Sequence, residues 1–167
     1  MVKSQANLLA MVRELAERCG ARERLDPEQF SAESIGDVKR SGLLLAPLSP
    51  QSGGRSCSLA DAVQATETIA RSSPSVALLV AMPLGLAGIY GLGPDIAPEP
   101  HRKAWAEQID LVAAEYRAGK WYAACNSERG AGGSLAATKT LASKGADGSW
   151  MISGEKILAS AGRFADY

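Results

Sequence analysis

The chain has 167 residues, 46% of them hydrophobic and 22% charged, with Lys plus Arg and Asp plus Glu balanced at 18 each. That is enough for one domain with a real core, or one domain and the start of another, and the zero net charge leaves no field for nucleic acid or an anionic membrane. One histidine, His101, excludes His-rich metal centres, and three widely spaced cysteines (Cys19, Cys57, Cys125) form neither a disulfide framework nor a zinc site.

Residues 1–20 carry Leu8, Leu9, Val12, Leu15, Ala16 and Cys19 at helical spacing, without the profile of a signal peptide. A reducing, cytoplasmic setting is the expectation. Gly20 reads as the left-handed stop of this helix. Asp26-Pro27-Glu28-Gln29 reads as a helix start, with a capping Asp, Pro at the first helical position and Gln three residues after the cap. Ser31 restarts or extends that helix through Ile35 and Val38 to Gly42. Leu43, Leu44, Leu45 and Leu48 are expected in an extended stretch broken by Pro47 and Pro50, before a loop over 51–55. Ser58-Leu59-Ala60-Asp61 opens a helix with Leu59, Val63, Thr66 and Ile69 on one face.

After a break at 72–75, residues 76–92 are the most apolar stretch. Pro83 and Gly85, Gly88, Gly91 and Gly93 keep it short of the ~20 clean apolar residues a membrane span needs. The expectation is a buried core helix kinked at Pro83, and no membrane span. A Pro-rich connector over 93–100 precedes a helix over 101–118. Trp105, Ile109, Val112 and Tyr116 fall on one face of it, and Gly119 ends it.

Beyond Gly119 the period changes from helical to strand-like, which sets the predicted boundary between a helical domain over 1–119 and a β domain over 120–167. Residues 121–125 read as a strand, 128–134 as a glycine-rich turn, 138–143 and 150–153 as a hairpin around a turn at 145–148, and 154–167 as a further strand. Trp121, Tyr122 and Trp150 are expected to pack these strands on the helices, and Cys125 to be a small buried residue. Two or three strands neither close a sheet nor bury both of its faces, so the β part reads as incomplete and the chain as truncated.

The chemistry is concentrated in Ala124-Cys125-Asn126-Ser127-Glu128-Arg129-Gly130-Ala131-Gly132-Gly133-Ser134, followed by Lys139-Thr140. A strand running into glycines exposes backbone N–H groups without Cβ obstruction, and Ser127 and Ser134 add hydroxyl donors. Such a segment suits a pyrophosphate or the polar edge of a planar ring, although a glycine-rich turn is more often only a turn. It matches neither GxxxxGK[ST] nor GxGxxG at the head of a helix. Arg129, Lys139 and Lys156 read as solvated side chains.

The order and spacing of these residues resemble the acyl-CoA dehydrogenase family. That family has a helical N-terminal domain, a β-barrel middle domain and a C-terminal four-helix bundle. Its middle domain carries a motif like T-E-P-x-A-G-S-D, then K-T, a hairpin, and G-x-K-x-[WF]-I-T-N-G-x-x-A-D. The counterparts here are the segment from Ser127 to Ser134, Lys139-Thr140, and Gly154-Glu155-Lys156-Ile157-Leu158-Ala159-Ser160-Ala161-Gly162-Arg163-Phe164-Ala165-Asp166. Ser41-Gly42-Leu43 and Gly53-Gly54 before a helix match the family's first domain. The resemblance implies an α+β fold, a helical N-terminal domain followed by the first strands of a β-barrel domain.

It also implies FAD, held by the backbone of Cys125 and Asn126, the hydroxyl of Ser127, and Gly132, Gly133 and Ser134 of the turn. Leu158 stands where an aromatic would stack on the flavin, and the Ser160 hydroxyl where a donor meets the ring nitrogen that receives hydride. Arg129 replaces the motif proline, Gly133 its serine and Ala161 its asparagine. The implied reaction is α,β-dehydrogenation of an acyl-CoA thioester. An electron-transfer flavoprotein or flavin reductase would be the redox partner, and a homo-oligomer the assembly. The family's catalytic glutamate comes from the C-terminal bundle, so no catalytic residue is assigned within these 167 residues. A flavin-dependent monooxygenase of the same fold is the near alternative; a non-catalytic helical binding or assembly module is the distant one.

Overall fold

Helices dominate the computed structural model, which describes residues 2–28 and 30–167, with side chains from residue 7 onward. In chain order they are α1 (Val2–Leu25), α2 (Ala32–Ser41), α3 (Leu59–Ala70), α4 (Pro74–Gly91) and α5 (Arg102–Arg117), followed by a hairpin of β1 (Leu141–Lys144) and β2 (Trp150–Ser153). The architecture is α+β, mostly helical, with a small antiparallel sheet at the C-terminal end.

Leu8, Val12, Leu15, Ala16 and Cys19 form the buried stripe of α1, as their spacing requires. The helix does not stop at Gly20 but continues to Leu25. A Cβ on Gly20 would lie 2.6 Å from the carbonyl oxygen of Ser72, so this glycine admits the α3–α4 connection rather than ending a helix. Asp26 to Glu28 form a turn instead of a helix start, and Gln29 lies outside the described residues. The helix begins after Ser31 and ends at Gly42, whose φ of +72° is the expected left-handed cap.

Asp37 ties α2 to α1, accepting from Arg18 Nε at 3.3 Å, Arg22 Nη1 at 2.8 Å and Arg40 Nη2 at 2.7 Å. Burial pushes this carboxyl up, but the hydrogen bonds from Arg22 and Arg40 outweigh it and hold it below the ordinary aspartate value.

Residues 43–48 are not extended. They turn tightly, with Leu45 N, Ala46 N and Leu48 N donating to the carbonyls of Gly42, Leu43 and Leu45. Leu43, Leu44, Ala46 and Leu48 are buried, and the turn satisfies locally the backbone groups that burial removes from water.

The capping box of α3 is present: Asp61 N donates to Ser58 Oγ at 3.2 Å and Ser58 N to Asp61 Oδ2 at 2.8 Å. Its inward face is Ala65 and Ile69, while Leu59 is 78% exposed and Val63 60%. The helix is therefore rotated from the predicted face. The α4 helix runs unbroken through Pro83, and Pro74 occupies its start. Val76, Ala77, Val80, Leu84 and Ala87 are buried, but Leu78, Met82 and Ile89 face outward. It is thus a core helix on one side only; its length and apolarity also meet those of a membrane-crossing helix, with 33% of it buried.

Ile109, Val112 and Tyr116 point inward from α5, and Trp105 stacks on Tyr90 with ring centroids 5.1 Å apart. The Tyr116 hydroxyl donates to the Pro83 carbonyl at 3.3 Å, joining α5 to α4. Gly119, with φ of +76°, ends the helical run as expected.

The core continues beyond it. Trp121 and Ala161 belong to the same hydrophobic cluster as the helices, and Phe164 meets Phe30 at 5.1 Å between ring centroids. Asp166 closes this clasp, accepting from Trp121 N at 2.8 Å, Lys39 Nζ at 3.0 Å and Lys120 Nζ at 3.4 Å. The hairpin pairs Leu141 with Ser153 through Lys144 with Trp150, and all of its strand residues are exposed. Trp150 therefore does not pack on the helices, whereas Trp121 does. Residues 154–167 are not a strand: they contain one bridge residue, Ser160, and a turn at Ala161, whose φ is +64°.

Candidate functional site

Two segments far apart in sequence, 124–129 and 155–160, lie antiparallel in a single register. Ser160 N donates to Ala124 O at 3.1 Å and Ile157 N to Ser127 O at 3.0 Å. Glu128 pairs with Lys156 at 2.7 Å, and Arg129 with Glu155 at 3.6 Å. Between these contacts, among the described residues, Cys125, Asn126, Leu158 and Ala159 make no backbone hydrogen bond across the pair. Only the Ala124–Ser160 contact is a formal bridge, and the predicted strand over 121–125 is an extended segment without a ladder.

The centre of this arrangement is Glu128. Its backbone closes the glycine turn, with Glu128 N donating to Gly132 O at 2.9 Å and Gly132 N to Glu128 O at 3.0 Å. Its side chain is buried and accepts from four donors. Oε1 takes Lys156 Nζ at 2.7 Å, Thr140 N at 3.0 Å and Thr140 Oγ1 at 2.5 Å; Oε2 takes Lys139 N at 2.6 Å. These bonds engage Lys139 and Thr140 with Glu128, and β1 starts after them, at Leu141.

Hydrogen bonds from Lys156, then the Thr140 hydroxyl and the Lys139 backbone, push the Glu128 carboxyl down to about 2 from an ordinary 4.5. A depressed carboxyl contributes stability above its unfolded value and loses it as pH falls through the folded one. The amide resonances of Lys139 and Thr140 are expected to stay constant from neutral pH down to 4.5 and to shift with a midpoint of about 2. A midpoint at 4.5 would mean that Glu128 is an ordinary surface carboxylate.

The structure places Cys125, Asn126 and Ser127 on one of the two adjacent segments and Leu158 and Ser160 on the other. Gly132 is attached to them through Glu128, whereas Gly133 and Ser134 sit at the exposed end of the turn, with no hydrogen bond to the paired segments. Among the described residues the hydroxyls of Ser127, Ser134 and Ser160 have no partner, and neither do the N–H groups of Cys125, Asn126 and Ser127. Leu158 is 68% exposed, and a Cβ at Gly132 or Gly133 would meet nothing within 4 Å. The result is an exposed edge that carries unpartnered donors and one exposed apolar side chain, Leu158.

Cys125 is exposed rather than buried. The buried thiol is Cys19, which burial raises, and partial burial pushes the half-buried Cys57 up to about 11, so neither is a ready nucleophile. The residues that the sequence reading passed over are Lys156, Lys139 and Thr140, which anchor Glu128. Their signal was the mirrored charge order, Glu128-Arg129 in one segment and Glu155-Lys156 in the other.

A family model described as acyl-CoA dehydrogenase, N-terminal domain, matches residues 3–96. The match covers more than half of the chain and lies within the helical part, upstream of the paired segments. No curated protein and no solved structure matches the chain at a significant level.

Proposed function

The chain belongs to the acyl-CoA dehydrogenase family, and from that premise we propose that it works as part of an FAD-dependent oxidoreductase that dehydrogenates an acyl-CoA thioester at its α,β carbons. In this reading residues 1–119 are the helical domain of the enzyme and 120–167 the start of its flavin domain. The two-stranded sheet exposes both faces, so a complete flavin domain requires further strands to cover it.

The observation that carries the reading is the shared register of 124–129 and 155–160. It lays Ser127 and Ser160 on neighbouring segments with free hydroxyls, beside free N–H groups at 125–127. Those N–H groups and the Ser127 hydroxyl would hold the polar edge of the flavin. Leu158 would give apolar contact to its face, and Ser160 would donate where charge gathers on reduction. Gly132, Gly133 and Ser134 leave room for a phosphate or substrate group. Bound FAD supplies the hydride acceptor; the chain's own residues orient it and stabilise charge. An electron-transfer flavoprotein would then reoxidise it.

A flavin-dependent monooxygenase is the second reading, favoured by Leu158 in the place of a stacking aromatic. Both are tested on the protein expressed from its complete reading frame. FAD is expected to reconstitute a yellow holoprotein, and anaerobic acyl-CoA to bleach its visible absorbance. Bleaching only with a separate flavin reductase would favour the oxygenase. A colourless protein that cannot be reconstituted overturns the flavin reading altogether.

A further inference from the structure

We infer that the Glu128–Lys156 pair is a latch that sets the register of the two site segments and thereby the relative placement of Ser127 and Ser160. The inference rests on the flavin reading for what those serines hold, but not for the latch itself.

At the Ala124–Ser160 end the clasp of Asp166 on Trp121 and the bond from Ala123 N to Tyr167 O also tie the segments together; toward Glu128 little else fixes their register. Two backbone hydrogen bonds join the segments, and Cys125, Asn126, Leu158 and Ala159 between them are exposed. Register is strongly specified where one face is buried and weakly where it is not, and a slip of one residue turns every side chain to the other face. Such a slip would move Ser160 from Ala124 and exchange the sides on which the serines stand.

Charge order disfavours both slips. In the observed register Glu128 meets Lys156 and Arg129 meets Glu155. Sliding one way places Glu128 opposite Glu155; sliding the other way places Arg129 opposite Lys156. Each alternative sets like charges across from one another, which is destabilising. The Glu128 carboxylate is also immobile, being 4% exposed and held by the backbone N–H groups of Lys139 and Thr140 and by the Thr140 hydroxyl. Without Lys156 a buried carboxylate would keep those three donors and lose its counter-charge. Lys156 is therefore a positioning residue, acting on the serines through the register.

The decisive variant carries Glu155→Lys with Lys156→Glu. It preserves composition and net charge, but places Glu128 against glutamate in the native register and against lysine in a slipped one. Lys156→Met is the milder companion should the double variant not fold, and Lys156→Arg preserves the pairing. Hydrogen exchange at the amides of Ile157 and Ser160 reads the register directly, with α4 core amides as the folding control. Flavin fluorescence during titration with FAD reads the site.

We expect the double variant and Lys156→Met to exchange at Ile157 and Ser160 at least ~10-fold faster with α4 unchanged, and to bind FAD at least ~10-fold more weakly. Lys156→Arg should stay within about 3-fold of wild type on both readouts. Wild-type exchange in the double variant and Lys156→Met overturns the latch. Faster exchange with undiminished FAD affinity overturns its positioning role. Should wild type take up no FAD while exchange responds as expected, the latch stands and the flavin reading falls.

Discussion

Replacing Trp121 with alanine is expected to lower the free energy of unfolding by about 3–5 kcal/mol, a large share of the roughly 5–15 kcal/mol a domain of this kind possesses. The indole is 0% exposed and belongs to the main hydrophobic cluster. Its backbone is a junction: Trp121 N donates to Asp166 Oδ2, and its carbonyl accepts from Asp166 N and Tyr167 N. The ring thus plugs the helical core at the point where the C-terminal segment is stitched back onto it, and its loss would open a cavity flanked by the segments that carry the site. Trp121 Nε1 has no hydrogen-bond partner, so Trp121→Phe breaks no bond and leaves only a smaller void, at a cost of about 1–2 kcal/mol. Urea unfolding followed by far-UV circular dichroism gives both values. A loss below about 1 kcal/mol for Trp121→Ala would show that the site segments are held without the ring.

What the sequence foretold and what it did not divide along a physical line. Local rules were legible: the Ser58–Asp61 capping box, the left-handed stops at Gly42 and Gly119, and the hairpin turn at 145–148 all involve groups within a few residues of one another. Contacts between distant segments were not. Periodicity announced a helix containing Leu59, Val63 and Ile69, but which arc of it meets the core depends on where α1 and α4 lie, and Leu59 and Val63 face out. Residues 154–167 have strand-like composition, yet their backbone partners are single carbonyls of Ala124, Ser127 and Trp121 rather than a neighbouring strand. The pairing at 124–129 and 155–160 is half legible: the motifs mark both segments, whereas no local signal shows that Glu128 is buried between them or that Lys156, which reads as solvated, is its partner.

Glycine shows the same division most sharply, and Gly54 is where it has the largest expected consequence. A Cβ at Gly54 would sit 2.0 Å from Leu48 O and 2.4 Å from Leu45 O, both backbone atoms with no side-chain freedom to yield. The chain reverses here: Gly54 N donates to Ser49 O, Ser56 N to Leu48 O, and Arg55 N and Cys57 N to Ala46 O, so residues 54–57 run back against the buried 45–48 turn. On the opposite side Gly91 approaches the same turn, where a Cβ would lie 2.4 Å from Pro47 O. Gly54→Ala is therefore expected to cost about 3 kcal/mol through overpacking against fixed backbone. Gly42→Ala meets no neighbouring atom but must hold φ at +72°, which costs about 1–2 kcal/mol. Thermal unfolding of the two variants separates the causes, because steric exclusion by a rigid turn predicts the larger loss at Gly54, where φ is not the obstacle. Equal losses would mean that the 45–48 turn yields, and then the close approach of Gly91 from α4 could not hold it in place either.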